Sequence, residues 1–310
     1  MKFKSIAQLL DYFKEEETCV KYLENLRWKG KPTCPKCGHN KRIWSIEGVK
    51  TFSGNRYKCS NCSHKFSTTS GTIFENTKIS LRFWYGAIYI CSINKKGTSS
   101  LQLSRTLGIP QKTAWFLEHR IREMLKDKNP TMLRDTVQID EAYIGGENKN
   151  RHYNKRIART AGRSTNDKTP VIGLIDNNGT VKAFVVPNTK IKNIKPLMQN
   201  NVAKDATIVT DAYNIYKWLD KEYNHVTVKH IEGAYVVDGY HTQNIENFWS
   251  VFKRGIIGSY HYVSPKHLQR YCEEFSARYN TRKLGEQERF DCFLSQCTGR
   301  LKYNDLVKSK

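Results

Sequence analysis

The sequence predicts an α/β fold: a mixed sheet flanked by helices, preceded by a cysteine-bearing ribbon and a helix-turn-helix region. Three observations predict it. Apolar runs of strand length recur at 137–144, 170–176, 180–187 and 206–211. The second and third are joined by Asn177-Asn178-Gly179, a hairpin signal. Two Cys-x-x-Cys pairs, Cys34/Cys37 and Cys59/Cys62, stand apart in a turn-rich segment near the N-terminus.

The elements follow in order. Residues 1–30 place apolar side chains at helical spacing: Ile6, Leu9, Leu10, Phe13, then Val20, Leu23 and Leu26. Residues 31–75 are short, turn-rich and cysteine-bearing, with β-like Ile43–Ile46 and Tyr57 between the two cysteine pairs. Residues 80–126 are helical again, and Pro130 marks a linker. The hairpin and the strand before it give three antiparallel strands. A crossover helix at about 190–203 leads to the fourth, and helix returns after about 243. The expected division is 1–75 for the N-terminal helices and ribbon, 76–130 for the helix-turn-helix region and 131–310 for the sheet domain.

Composition narrows the function. Lys and Arg outnumber Asp and Glu 52 to 29, a net charge of +23. Nucleic acid is the partner that best matches this imbalance, because each Lys or Arg on a phosphate releases counterions. No apolar N-terminal run resembles a signal peptide, and no segment is long enough to span a bilayer. These features predict a cytoplasmic protein associated with DNA (nuclear in a eukaryotic host) and no membrane partner. Nine cysteines, four of them in pairs, predict a reducing compartment and a metal site, not a disulfide framework. Cys19, Cys91, Cys272, Cys292 and Cys297 follow no pattern and read as small buried hydrophobes.

A Cys-x-x-Cys turn presents two thiolates to one ion, so Cys34, Cys37, Cys59 and Cys62 complete a tetrahedral structural zinc site. His39 and His64 then have no vacancy to fill. Residues 98–115 give a helix, a Gly108-Ile109-Pro110 turn and a second helix. Leu101, Leu107, Ile109 and Trp115 form its expected small core. Gln111, Lys112, Thr113 and His119 are expected to face outward, toward a major groove. The plainer alternative is an ordinary helical hairpin.

Asp140 sits in the strand-like run 137–144 and Asp211 ends the run 206–211, where a carboxylate is costly unless its charge is compensated. Glu246 begins the helix 244–254. Lys253, seven residues on, shares its face, with Asn247 and Arg254 on the adjacent stripe. An acid that binds metal and a lysine that holds phosphate suit a phosphodiester substrate. Asn247 is the alternative third ligand; Glu246 is favoured because a carboxylate is the better hard-cation ligand. Glu141 should point to the opposite side of its strand. Residues 147–168, including Arg151, Lys155, Arg156 and Arg159, read either as a solvated loop or as a DNA clamp beside Asp140.

The runs Asp-Glu-Ala-Tyr-Ile-Gly-Gly, Thr-Asp-Ala-Tyr and His-Thr-Gln-Asn-Ile-Glu-Asn-Phe-Trp-Ser-Val-Phe-Lys-Arg-Gly together resemble the DDE transposases of insertion sequences. The zinc-ribbon-bearing ISXO-type group is the closest match. Asn-Leu-Arg-Trp before Cys34 and Tyr279-Asn-Thr-Arg-Lys also look like that group. The resemblance implies an RNase H-like mixed sheet with Asp140 on its first strand, Asp211 after its fourth and Glu246 on a later helix. It also implies two Mg²⁺ or Mn²⁺ ions, double-stranded DNA (element ends and target) as partner and a homo-oligomer on DNA. A DNA-binding regulator with an inactive core, or a nuclease without strand transfer, is the rival reading.

Overall fold

The computed structural model describes residues 2–51, 54–128, 130–145, 152–156, 167–211, 214–228 and 236–308. The chain forms two compact units. One comprises Met1–Asn94, Thr98–Lys126 and Thr281–Lys310; the other comprises Lys95–Gly97 and Asp127–Asn280.

The first unit starts with α1 (Ile6–Tyr12) and α2 (Glu16–Trp28). Ser5 starts α1 by accepting a hydrogen bond from the Gln8 amide, which satisfies one orphan donor of the first turn. A three-stranded antiparallel ribbon follows: β1 (Ile43–Thr51), β2 (Gly54–Cys59) and β3 (Lys65–Ser67). Then come α3 (Leu81–Ile93), α4 (Ser100–Leu107) and α5 (Gln111–Met124). Ser99 caps α4, and Gly108 ends it at φ +65°, a conformation that glycine adopts without strain. The small core between α4 and α5 differs from the expected one. Leu101 is exposed, and Leu103, two residues on, is buried instead.

The second unit is built on one five-stranded mixed sheet. In chain order its strands are β4 (Thr136–Ile144), β5 (Thr169–Asp176), β6 (Val181–Val185), β7 (Thr207–Asp211) and β8 (Asn224–Val228). Their order across the sheet is β6-β5-β4-β7-β8. β4, β5 and β6 pair antiparallel, while β7 runs parallel to β4 and β8 parallel to β7. The β5–β6 turn is held by Asp176, whose Oδ1 accepts from the Thr180 amide at 2.8 Å. β8 was not foreseen: its Asn-His-Val-Thr-Val run is short and only half apolar.

Helices cover both faces. α6 (Ile191–Asn201) packs on one, in a core with Val137, Ile139, Ile172, Leu174 and Ile208. α7 (Gln243–Gly255) and α8 (Pro265–Asn280) pack on the other, in a core with Ala142, Ile144, Val171, Ile175 and Val181. Odd- and even-numbered residues of β4 thus divide between the cores, as strand pleating requires. α8 also closes the edge strand. Gln269 and Asn280 use both ends of their amides on β6, accepting from Val185 and Val181 N–H and donating to Ala183 and Val181 C=O. Backbone groups that would otherwise offer a free edge are satisfied.

After α8 the chain returns to the first unit with α9 (Glu286–Ser295) and α10 (Tyr303–Val307). Residues 281–310 therefore cluster apart from the sheet with which the sequence grouped them. Phe290 of α9 packs its ring against those of Phe3, Phe13, Tyr22, Tyr85 and Tyr89. No helix among the described residues is long and apolar enough to cross a membrane.

Candidate active site and metal centre

The four paired cysteines converge. Their sulfurs all lie within 4.8 Å of one another, with Cys34–Cys62 at 3.6 Å and Cys37–Cys59 at 3.7 Å. Tetrahedral Zn–S bonds of about 2.3 Å separate sulfurs by about 3.8 Å, so the set fits zinc. The two turns are built alike: Cys34 N–H donates to His39 C=O and Cys59 N–H to His64 C=O, at 2.9 and 3.0 Å. The backbone N–H of His39 helps pull the Cys37 thiol down to about 6, toward the ligating thiolate. Both histidines serve as turn residues outside the sulfur set, and His39 Nε2 lies 3.3 Å from Ser60 Oγ.

Asp140 and Asp211 come from neighbouring parallel strands. β4 and β7 pair Thr136 with Thr207, Val137 with Ile208 and Gln138 with Val209. The pairing ends there, and two residues further along each strand Asp140 and Asp211 share the face of the sheet on which Gln138 and Val209 stand. The electrostatics agree. Burial pushes the Asp140 carboxyl up to about 6, and the charges of Asp211 and Glu246 push the same way. The Glu141 amide, 2.8 Å from Asp140 Oδ1, and the Lys253 ammonium oppose the rise. Asp211, Glu246 and Lys253 thus all reach Asp140 electrostatically, from β7 and α7. Glu141 points to the other face and accepts from Tyr216 Oη at 2.6 Å. Burial, with Asp140 and Asp211 adding, raises its carboxyl to about 7.

The carboxylates depend on how α7 sits. Ile245, Phe248, Trp249 and Phe252 are buried against the sheet, while Glu246, Asn247, Lys253 and Arg254 are exposed. Glu246 Oε1 accepts from Thr242 Oγ1 at 2.7 Å. Asn247 Oδ1 accepts from Tyr279 Oη of α8 at 3.3 Å, and Arg254 folds back to donate to Ser250 C=O at 3.0 Å. His241 Nδ1 accepts from the Gln243 amide at 3.3 Å, at the start of the helix. Gln138, two residues before Asp140, is buried and accepts from the Ile245 amide at 3.1 Å. Opposite Asp140 on β5 stands Gly173, beneath Trp249 and Ile245. Sequence reasoning passed over Gln138, although period two puts it on the face of Asp140. Gly173 carried no local signal at all.

The remaining residues are less concentrated. Gln111 and Lys112 are exposed at the start of α5, and Thr113 is half-buried. His119 corrects an expectation: it is fully buried, its ring 4.5 Å from that of Trp115, and does not face a groove. Two helical turns beyond Gln111, the helix has rotated that position into the core. Arg156 is exposed at the end of the short 3₁₀ turn Tyr153–Lys155. Arg151 and Arg159 lie outside the described residues, as does the Lys155 side chain.

A five-stranded mixed sheet flanked by helices and a four-cysteine ribbon fit the class that the family matches give, a transposase. Residues 132–280 match the ISXO2-like transposase domain, and residues 14–65 match a transposase zinc-ribbon domain. The chain belongs to the ISXO2-like DDE transposases that carry a zinc ribbon. The matched region 132–280 nearly coincides with the main segment of the second unit. A protein of Halobacterium salinarum, "Uncharacterized protein in transposable element ISH50", is 28% identical over 286 residues, covering 89% of this chain and 95% of the relative. An "Uncharacterized transposase-like protein" of Haemophilus influenzae is 26% identical over 108 residues, 34% of this chain and 86% of that one.

Proposed function

We propose that the second unit cleaves and joins DNA with Asp140, Asp211 and Glu246 as its metal ligands. The common face of Asp140 and Asp211 on neighbouring parallel strands, with the charges of Asp211 and Glu246 both raising the Asp140 carboxyl, supports the reading. Oxygen donors with concentrated negative charge fit hard divalent cations, Mg²⁺ or Mn²⁺. When bound, two such ions supply Lewis-acid stabilisation of the attacking and leaving oxygens of an in-line displacement. In the first reaction water adds to phosphorus at the element end and the 3′-oxygen leaves. In the second, that 3′-hydroxyl attacks a target phosphodiester, whose own 3′-oxygen leaves.

The chain's own groups divide the remaining work. Lys253, exposed two turns along from Glu246, holds a substrate phosphate by charge. Glu246 is the third ligand in preference to Asn247, because a carboxylate is the better ligand for a hard cation. Gln111, Lys112 and Thr113 at the start of α5, with Arg156 and Arg254, contact DNA. Zinc held by the four cysteines stabilises the ribbon. The active species is an oligomer of this chain on the element ends. Incubating the full chain with end DNA and Mg²⁺ tests the reading: wild type nicks at the element end and Asp140→Asn does not. Binding without nicking by wild type would favour the regulator; nicking without joining would favour the nuclease.

A further inference from the structure

We propose that Gly173 and Gln138 are positioning residues that set the height and register at which α7 carries Glu246 beside Asp140. The inference rests on the carboxylate reading above and names what holds that site in shape.

Gly173 pairs with Asp140 across β4 and β5, so its bare Cα stands beside the carboxylate on the same face of the sheet. A Cβ at this position would lie 2.5 Å from Trp249 Cζ2, 2.8 Å from Ile245 Cδ1 and 3.1 Å from Trp249 Cη2. Neither side chain has room to retreat: both are buried in one cluster with Phe248, Phe252 and Phe275. Interiors are close-packed, so a methyl group at 173 must move the helix. Trp249 and Ile245 lie one turn apart on α7 and flank Glu246. Lifting them lifts Glu246 away from Asp140.

Gln138 supplies the second constraint. It precedes Asp140 by two residues, points to the same side and is 3% exposed. Its Oε1 accepts from the Ile245 N–H at 3.1 Å. That amide is a first-turn donor with no partner inside the helix. The strand that carries Asp140 thus grips the turn that carries Glu246 through a single hydrogen bond next to both carboxylates. An uncharged amide in an otherwise apolar core position is explained by this partner. Gly173 fixes how close the helix comes, and Gln138 fixes where along the strand its first turn rests. A misplacement of about 1 Å at a reacting centre can cost on the order of a hundredfold in rate, so both constraints bear on chemistry.

The test uses the full chain, with Mn²⁺ binding measured calorimetrically at neutral pH beside thermal melting and end-DNA cleavage. Asp140→Asn sets the background. Folded Gly173→Ala and folded Gln138→Leu should each bind Mn²⁺ at least tenfold more weakly, and their Mg²⁺ requirement for cleavage should rise by a similar factor. Gly173→Ala combined with Trp249→Phe should regain most of the affinity, because Cζ2 and Cη2 belong to the outer ring that Phe lacks. The Trp249 indole N–H makes no hydrogen bond among the described residues, so Phe forfeits none there. A role in packing alone would lower the melting midpoint and leave the Mn²⁺ affinity of the folded protein unchanged. That result overturns the proposal. Should Gly173→Ala fail to fold, Gln138→Leu, which adds no side-chain heavy atom, decides by the same criterion. If Asp140→Asn loses Mn²⁺ binding while Gly173→Ala and Gln138→Leu keep it, only this proposal falls. If Asp140→Asn binds as wild type does, the carboxylate reading falls and takes the proposal with it.

Discussion

The cysteine site and the carboxylate site solve the same problem in opposite ways. The cysteine ligands come from two turns of like construction, each fixed by its own backbone hydrogen bonds within six residues. The sulfur set follows almost from spacing. Asp140, Asp211 and Glu246 come from two strands and a helix spread over more than a hundred positions. In the proposed reading, bringing them together depends on the parallel strands β4 and β7, a recess at Gly173 and the grip of Gln138. A local site should fail together with its own fold, whereas a fold-assembled site should fail in function while its fold survives.

The largest effect expected from that contrast is on chemistry. Asp140→Asn or Asp211→Asn should lower Mg²⁺-dependent cleavage by roughly a thousandfold, the equivalent of about 4 kcal/mol of lost metal stabilisation. End binding and far-UV circular dichroism should stay as in wild type. Loss of the fold in these variants would erase the distinction between the two sites. Glu246→Gln should match them.

Next comes Cys59→Ser. Structural zinc contributes folding energy directly, so this variant should lose its zinc by elemental analysis and expose the ribbon to proteolysis. The second unit should keep its Mn²⁺ affinity. A zinc-free chain with an intact ribbon would show that the cysteine site is not what holds that region together.

Smaller effects sharpen the third ligand. Lys253→Ala should slow cleavage by about tenfold with Mn²⁺ binding preserved, as expected for the loss of one phosphate contact. Asn247→Ala should cost only a few-fold. The reverse pattern, with Asn247→Ala inactive and Glu246→Gln near normal, moves the ligand by one residue.

The smallest expected effect is on pH. Asp140 titrates near 6 when folded, against 3.8 when free, chiefly through burial, then through Asp211 and Glu246, with the Glu141 amide and Lys253 opposing. The folded state therefore holds the extra proton, and Asp140's contribution to metal-free stability falls as pH rises from about 4 to about 6. Metal must displace that proton, so Mn²⁺ affinity should rise across the same window. A melting curve of Asp140→Asn with the same slope in this window as wild type would remove the assignment.

How much of this was legible in the sequence follows the same divide. The cysteine turns, the Asn177–Gly179 hairpin, the Gly108 cap and the strands with long apolar runs are local and were readable. The two aspartates were readable because a charge within or at the end of an apolar strand calls for an explanation. β8 was not, since its short mixed run becomes a strand only beside β7. Outward-facing His119 and core Leu101 were misassigned because helix periodicity alone does not fix which stripe faces the core. Gly173 was invisible, because its role exists only once β5, β4 and α7 are assembled. The partition was also hidden: nothing local in residues 281–310 says that Phe290 closes an aromatic cluster begun by Phe3.

That last feature bears on how the protein is made. The chain leaves the first unit after Lys126 and rejoins it at Thr281. On the ribosome, residues 2–126 emerge long before the phenylalanine that completes their core, and the sheet unit is synthesised in between. The ribbon-bearing unit, although first to be translated, gains Phe290 only after the sheet unit has been synthesised. A chain truncated before α9 should therefore leave the Phe3, Phe13, Tyr22, Tyr85 and Tyr89 rings without Phe290, and limited proteolysis of that chain checks it.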